Sequence, residues 1–277
     1  MSHLFNQLME FFNGQMSKPL PYLSFSKSWF HYLSLGLVVL LTIICVIRMK
    51  DATDKKWKRI TLIFAITLLI FEVYKQLNFS YVSHWSYQWY AFPFQFCSTP
   101  MYVALIAAFI KPGKFQDALY TYLATFGLFA GVMVMMIPND VFVTTVGINI
   151  QTMVHHGGMV IMGVVALYKV HSRKQVLSAI MVFSVVVLIA NLLNVIHNTW
   201  IQDGTFNMFF INPIYQNHLP VLSLIQPLVP YFVFLAIYTL GFSLAAYLTI
   251  TISLMFKNHS LQVVRQLLHK HSISSYK

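Results

Sequence analysis

Seven apolar runs, at 29–47, 60–77, 94–110, 118–137, 152–170, 176–196 and 231–256, are separated by short polar or Gly/Pro-bearing breaks. A hydrocarbon core of about 30 Å takes roughly 20 apolar residues to cross as a helix, so each run is long enough, or nearly so, to span it. Inside lipid every main-chain amide and carbonyl must find its partner within the protein, which leaves helices or a closed barrel. The runs are continuous instead of alternating, and that selects helices. Charged residues make up 9% of the 277, against about a quarter in a soluble fold, as expected of a surface that meets lipid. The expected fold is therefore all-α, a polytopic transmembrane bundle of about seven spans, with residues 1–277 forming a single integral membrane domain. The first 27 residues lack the ordered basic, apolar and small-residue regions of a removable signal, so the first span is expected to stay in place.

The basic residues sort by side. Fifteen of the 18 Lys and Arg fall in alternate connections: Arg48 to Arg59, Lys111 and Lys114, Lys169 to Lys174, and the segment from Lys257 onward. The other set of segments holds Lys18 and Lys27, and Lys75 lies within a span. The positive-inside rule then puts the amino terminus outside and the carboxyl terminus in the cytoplasm, in a multi-pass protein of the plasma membrane. The net charge of +11 is thereby explained by topology, and no nucleic acid is expected as a partner. Two further stretches, 3–12 and 261–268, mix polar and apolar residues at helical spacing and are expected to lie on the membrane surface. Cys45 and Cys97 fall toward opposite faces, which excludes a disulfide between them.

Polar residues inside spans are costly and ask for a partner or a function. Measured from the ends of the apolar runs at 1.5 Å per residue, Glu72 lies about 9 Å inside the second span and His155 and His156 about 8 Å inside the fifth. Asn191 and Asn194 lie about 9 and 5 Å inside the sixth, and Cys97 with Gln95 is similarly shallow in the third. The opposite halves of these helices are nearly all apolar. The pattern predicts a polar cavity open to the outer leaflet. Glu72 and Lys75, three apart on one face, are equally readable as an ion pair, and the two Asn as interhelical hydrogen-bonding groups. Adjacent His155 and His156 point to different faces, so at most one fits easily into one cavity.

Cys97 stands apart because Pro93 and Thr99-Pro100 place it at a helix start or break. Amides near such a start stabilise a thiolate or an oxyanion, and a nearby His can take the thiol proton. No His-x-x-x-His or Cys-x-x-Cys spacing supports a metal, and no metal, nucleotide or other cofactor is expected.

At Phe92-Pro93-Phe94-Gln95-Phe96-Cys97, His156-Gly157-Gly158 and Asn207-Met208-Phe209-Phe210-Ile211-Asn212-Pro213, with Glu72 late in the second span, the chain resembles the YwaF-like bacterial membrane proteins, whose eukaryotic relatives include an ether-phospholipid acyltransferase. The resemblance runs from the second span to the seventh. It implies cysteine-centred acyl transfer between membrane lipids, with Cys97 as nucleophile and His156 as base, supported by Glu72, Gln95, His155, Asn191 and Asn194. One position departs: where bacterial members commonly carry His, this chain has Gln95, which hydrogen-bonds but takes no proton at neutral pH. The expected contact is Cys97 with His156, with His155 facing a neighbouring helix. The apolar stretch within 198–230 is expected to cover the cavity as a lid. The alternative function is a small-solute transporter or receptor with an extracytoplasmic polar pocket.

Overall fold

The structure, a computed structural model, describes residues 2–201, 206–215, 219 and 221–274, with side chains described from 3 to 257 of these. Its longer helices are α1 (Ser2–Phe12), α2 (Phe25–Met49), α3 (Asp54–Val82), α4 (Thr99–Phe109), α5 (Lys114–Met136), α6 (Val146–Ala166), α7 (Gln175–Ile196) and α8 (Tyr231–Ser274). Among the described residues no strand forms, and one isolated bridge joins Gln15 to Thr145. The all-helical membrane bundle expected from the apolar runs is what forms.

The count of full spans differs by one. Six helices, all but α1 and α4, are long and apolar enough to cross a membrane. The third run supplies only a shorter helical stretch, Phe96–Phe109. Apolarity alone does not make a helix there: Pro93 and Pro100 each withhold an amide donor, and the chain through Phe94 and Gln95 stays extended or irregular. α4 is 11 residues long, about 16 Å, half the length of a span.

Helix α5 carries a π-helical turn at Leu123–Gly127, and that turn fits against the start of α4. A Cβ on Gly127 would sit 3.5 Å from the Pro100 ring. The Thr99 and Tyr122 hydroxyls meet at 2.6 Å. Helices α5 and α6 pack closely because two glycines let their backbones approach. A Cβ on Gly131 would lie 2.9 Å from the His156 carbonyl oxygen, and one on Gly163 only 2.6 Å from Leu128 Cβ. Such small-residue contacts drive helix association where lipid removes the hydrophobic driving force. Helix α2 is peripheral, with Ser28, His31 and Met49 its buried residues.

The helices also extend beyond their apolar runs. α6 begins at Val146, where the Asn149 side chain binds both the amide and the carbonyl of Val143. α3 continues to Val82. A polar residue that satisfies itself locally does not end a helix. His155 and His156 therefore lie about 14 and 15 Å below the start of α6, and Glu72 about 15 Å below the end of α3. That is nearly twice the expected 8–9 Å, and close to the middle of a bundle about 30 Å thick.

The amphipathic stretch at 3–12 does form α1. Met9 is buried, Leu4, Leu8 and Phe11 are exposed, and the helix end is tied down by Tyr74, whose hydroxyl donates to the Phe12 carbonyl. The side chains of the second expected surface stretch, 261–268, lie outside the described residues.

Candidate functional site

After α3 the chain turns back into the bundle through 83–95 without regular helix except one turn, Trp89–Ala91. Irregular backbone at membrane depth survives only where protein satisfies it. Two side chains do so, and a third braces one of them. Gln76, one turn beyond Glu72 on α3, donates through Nε2 to the Ala91 carbonyl at 2.6 Å and to Glu72 Oε1 at 2.8 Å. The Tyr87 hydroxyl donates to Gln76 Oε1. The Tyr102 hydroxyl donates to the Pro93 carbonyl at 2.7 Å. The loop is thus fixed to α3 and α4, and it delivers Cys97 within a 3₁₀ turn, Phe96–Ser98, that leads directly into α4. The expectation of a cysteine at a helix start holds.

The amides expected to serve there are mostly taken. Ser98 N–H donates to the Gln95 carbonyl at 2.8 Å, Thr99 N–H donates to the Phe96 carbonyl, and Pro100 has none to give. What remains beside the thiol is the Ser98 hydroxyl, buried and without a hydrogen-bond partner.

Both histidines are buried, their rings 5.4 Å apart between centroids. The ring that reaches Cys97 belongs to His155. Its Nε2 lies 2.9 Å from the Cys97 main-chain carbonyl. The expected contact between His156 and Cys97 is not among the hydrogen bonds of the described residues, and His155, expected to face a neighbouring helix, faces the cysteine turn. Helical periodicity separates two adjacent residues by face but does not say which face meets α4. Because a carbonyl only accepts, His155 Nε2 carries the proton, and its Nδ1 is left buried without a partner. His156 Nδ1 lies 2.8 Å from the Thr152 carbonyl one turn back on its own helix, so that nitrogen is the donor. The lone pair of His156 is then on Nε2.

Glu72 is 3% exposed and joins this group. Its Oε1 pairs with Lys75 Nζ at 2.8 Å, which realises the ion-pair reading of the sequence, and its Oε2 is buried without a partner. Through Gln76 the pair is tied to Ala91, in the loop that leads to Cys97. Cys97, His155, His156, Glu72 and Lys75 thus form one interior cluster.

The remaining expected site residues do something else. Gln95 and Asn194 grip the segment that begins at Phe206. Gln95 Nε2 donates to the Asn207 carbonyl at 3.2 Å while its Oε1 accepts from the Phe209 amide at 3.1 Å. Asn194 donates to the Met208 carbonyl at 3.1 Å and accepts from the Met208 amide at 2.7 Å. Two side-chain amides, each both donor and acceptor, hold three consecutive residues.

The segment is buried, with Phe206, Met208, Phe209 and Ile211 each 2% exposed or less, and Phe209 packs on Phe94, Phe96 and Phe183. Phe209 and Phe210 hold left-handed φ of 60° and 56°, an uncommon conformation for residues with side chains. The apolar stretch from Phe206 to Ile211 of the expected lid is therefore a plug inside the bundle, next to the Cys97 turn, whereas Trp200, Ile214, Leu224 and Leu228 of the same lid are exposed. Residues 202–205, 216–218 and 220 of the expected lid lie outside the described residues. Asn191 lies apart from the cluster and accepts a hydrogen bond from the Tyr231 hydroxyl at 2.5 Å.

The sequence reading places Gln76 in the polar layer without a role, and does not single out Ser98 or Thr152. Ser98 adjoins the cysteine in the same helix-start pattern and was the one open to detection. Thr152 acts through its backbone, which leaves no residue-type signal. No group of three or more His, Cys, Asp or Glu able to hold a metal occurs among the described residues.

Among known proteins, no curated protein and no solved structure matches this chain. The sequence model of the TMEM164 family, a family of membrane proteins, matches residues 23–255, from just before α2 to well inside α8. With well over half of its length matched, the chain belongs to the TMEM164 family.

Proposed function

We propose that this protein is a membrane-embedded acyltransferase that moves a fatty acyl chain between membrane lipids through a thioester on Cys97. The observation that carries the reading is the placement of Cys97 in a tight turn at the head of a half-length helix, inside the bundle, beside two buried histidines and an unpartnered Ser98 hydroxyl. A buried thiol kept only for packing needs no such company.

In keeping with the family resemblance His156 is the base: its Nδ1–H bond to Thr152 leaves Nε2 to accept the thiol proton, while the ring bonded to the Cys97 turn is that of His155. The thiolate attacks the ester carbonyl of a donor lipid, and Ser98 Oγ–H donates to the oxyanion. The tetrahedral species collapses, the C–O bond to the glycerol breaks, and the imidazolium of His156 returns its proton to the leaving alkoxide. A second lipid's hydroxyl then loses its proton to His156 and attacks the thioester, the thiolate departs, and the new ester forms. His155 is a positioning residue: through Nε2–H it holds the Cys97 carbonyl and hence the turn. Lys75 neutralises Glu72, and Gln76 links that pair to the loop that carries the nucleophile. No metal or nucleotide enters these steps. The distribution of Lys and Arg supports a site on the extracytoplasmic side of the plasma membrane.

The reading is tested with purified protein in vesicles holding a glycerophospholipid with an isotope-labelled acyl chain and an unlabelled lysophospholipid acceptor. The expected result is time-dependent appearance of label in a new diacyl lipid, matched by formation of the labelled donor's lysolipid. Label that stays on the donor while a small polar solute is taken up would overturn it in favour of transport.

A further inference from the structure

Between α2, α3 and α6 lies a groove of about 510 Å³ that opens sideways from the bundle. Its walls are apolar, and its two hydroxyls are turned away: Ser34 donates to the Phe30 carbonyl and Thr67 to the Ile63 carbonyl, each within its own helix. The absence of side chains at Gly157 and Gly158 helps form its floor. Its inner wall at Leu68 packs against the group that includes Met101 and Cys97, so the groove lies on the far side of Leu68 from the thiol.

At the α2 start, the end away from the basic loops, a second cavity of about 220 Å³ is formed between the loop leading into α2 and the first turns of α2. Ser17, Lys18, Ser26 and Lys27 line it, and no acidic residue does. Lys18 and Lys27 are the two cations that break the charge bias of that side, and both converge on this one cavity. Neither ammonium is ion-paired among the described residues. The loop is held in shape by Ser28, whose hydroxyl donates to the Leu20 carbonyl at 2.7 Å, and by the Leu20 amide, which donates to the Lys27 carbonyl.

The two cavities share Phe30, which is fixed edge-on against Phe142. A cationic polar cap thus stands directly over an apolar channel that opens to lipid. The geometry points to a binding site for one glycerophospholipid, its phosphate between Lys18 and Lys27 and one acyl chain lying in the groove along α2, α3 and α6. A free anion would leave the groove unused, and a neutral glyceride would leave the lysines unpaired. The phosphate-bearing lipid satisfies both. This site is separate from Cys97 and does not depend on the acyltransferase reading.

The test is native mass spectrometry of the full-length protein in mild detergent, titrated with dioleoyl phosphatidylglycerol, with dioleoylglycerol, or with glycerol phosphate. One phosphatidylglycerol per chain is expected. The Lys18→Gln/Lys27→Gln pair, exposed in the loop before α2 and in its first turn, should weaken it by about 10-fold or more, to the level of dioleoylglycerol on the unaltered protein. Leu37→Trp, which fills the groove from the lipid-exposed side of α2, should weaken it as well, with Leu41→Trp as a second groove-filling change. Cys97→Ala should leave it unchanged. Binding that is insensitive to the lysine pair, equal for the two lipids, or displaced by glycerol phosphate alone at the same concentration would overturn the proposal.

Discussion

Cys97→Ala should reduce acyl transfer to the level of vesicles without protein, while the variant inserts and melts within a few degrees of the unaltered chain. The two halves of that expectation have separate causes. Without the thiol no covalent intermediate forms, and neither Ser98 nor either histidine is positioned to replace it, since a hydroxyl at neutral pH is a far weaker nucleophile than a thiolate. The structural cost is small. Cys97 is a small side chain that makes no disulfide, and removing one such group typically costs on the order of 1 kcal/mol. The turn that carries it is held by main-chain bonds from Ser98 and Thr99 and by the His155 contact to the carbonyl, none of which uses the sulfur. Melting curves in detergent and the labelled-chain assay together check both halves. Substantial transfer by the Ala variant would remove Cys97 from the chemistry.

The second large effect separates the two histidines. His156→Ala should slow transfer by roughly 100-fold or more, the usual contribution of a general base. His156→Gln should do no better, because an amide accepts no proton at neutral pH. Added imidazole should restore part of the rate of the Ala variant. His155 behaves differently if its task is to hold the Cys97 carbonyl. His155→Ala should lower the rate, whereas His155→Asn, which keeps an N–H donor, should recover most of it. A general base would not be replaced by Asn. Recovery by Asn at 156 with none at 155 would exchange the two roles.

The apolar runs made the helices legible, since a continuous stretch of some 20 apolar residues has few other folds. The third run misled because its composition carried no record of its missing donors: Phe94 to Cys97 are apolar enough for a span yet lie in a loop and a turn. Depth misled for the converse reason. The fifth apolar run starts at 152, but the helix begins at Val146, Asn149 and Gln151 are buried within it, and Asn149 satisfies the adjoining backbone at Val143.

In the site, Glu72, Cys97 and the histidine pair were readable because an ionisable group inside a membrane span is rare without a reason. The orientation of that pair was not, since one residue's shift in how α6 meets α4 exchanges His155 for His156. Gln95 was readable as a polar residue of the third run and as a departure from the resembled family, but not in the part it plays. Its two bonds to the plug backbone depend on a segment more than a hundred residues away, and no local pattern announces such a pairing.

The most direct test of the account is to trap the intermediate. Purified protein incubated with a phospholipid bearing an alkyne-tagged acyl chain, then digested and examined by mass spectrometry, should yield the tagged chain on the peptide containing Cys97, as a thioester cleaved by neutral hydroxylamine. The label should vanish in Cys97→Ala and accumulate when the acceptor lipid is withheld. A protein that transfers acyl chains with no adduct on Cys97, or that carries equal label after Cys97→Ala, would contradict the central claim.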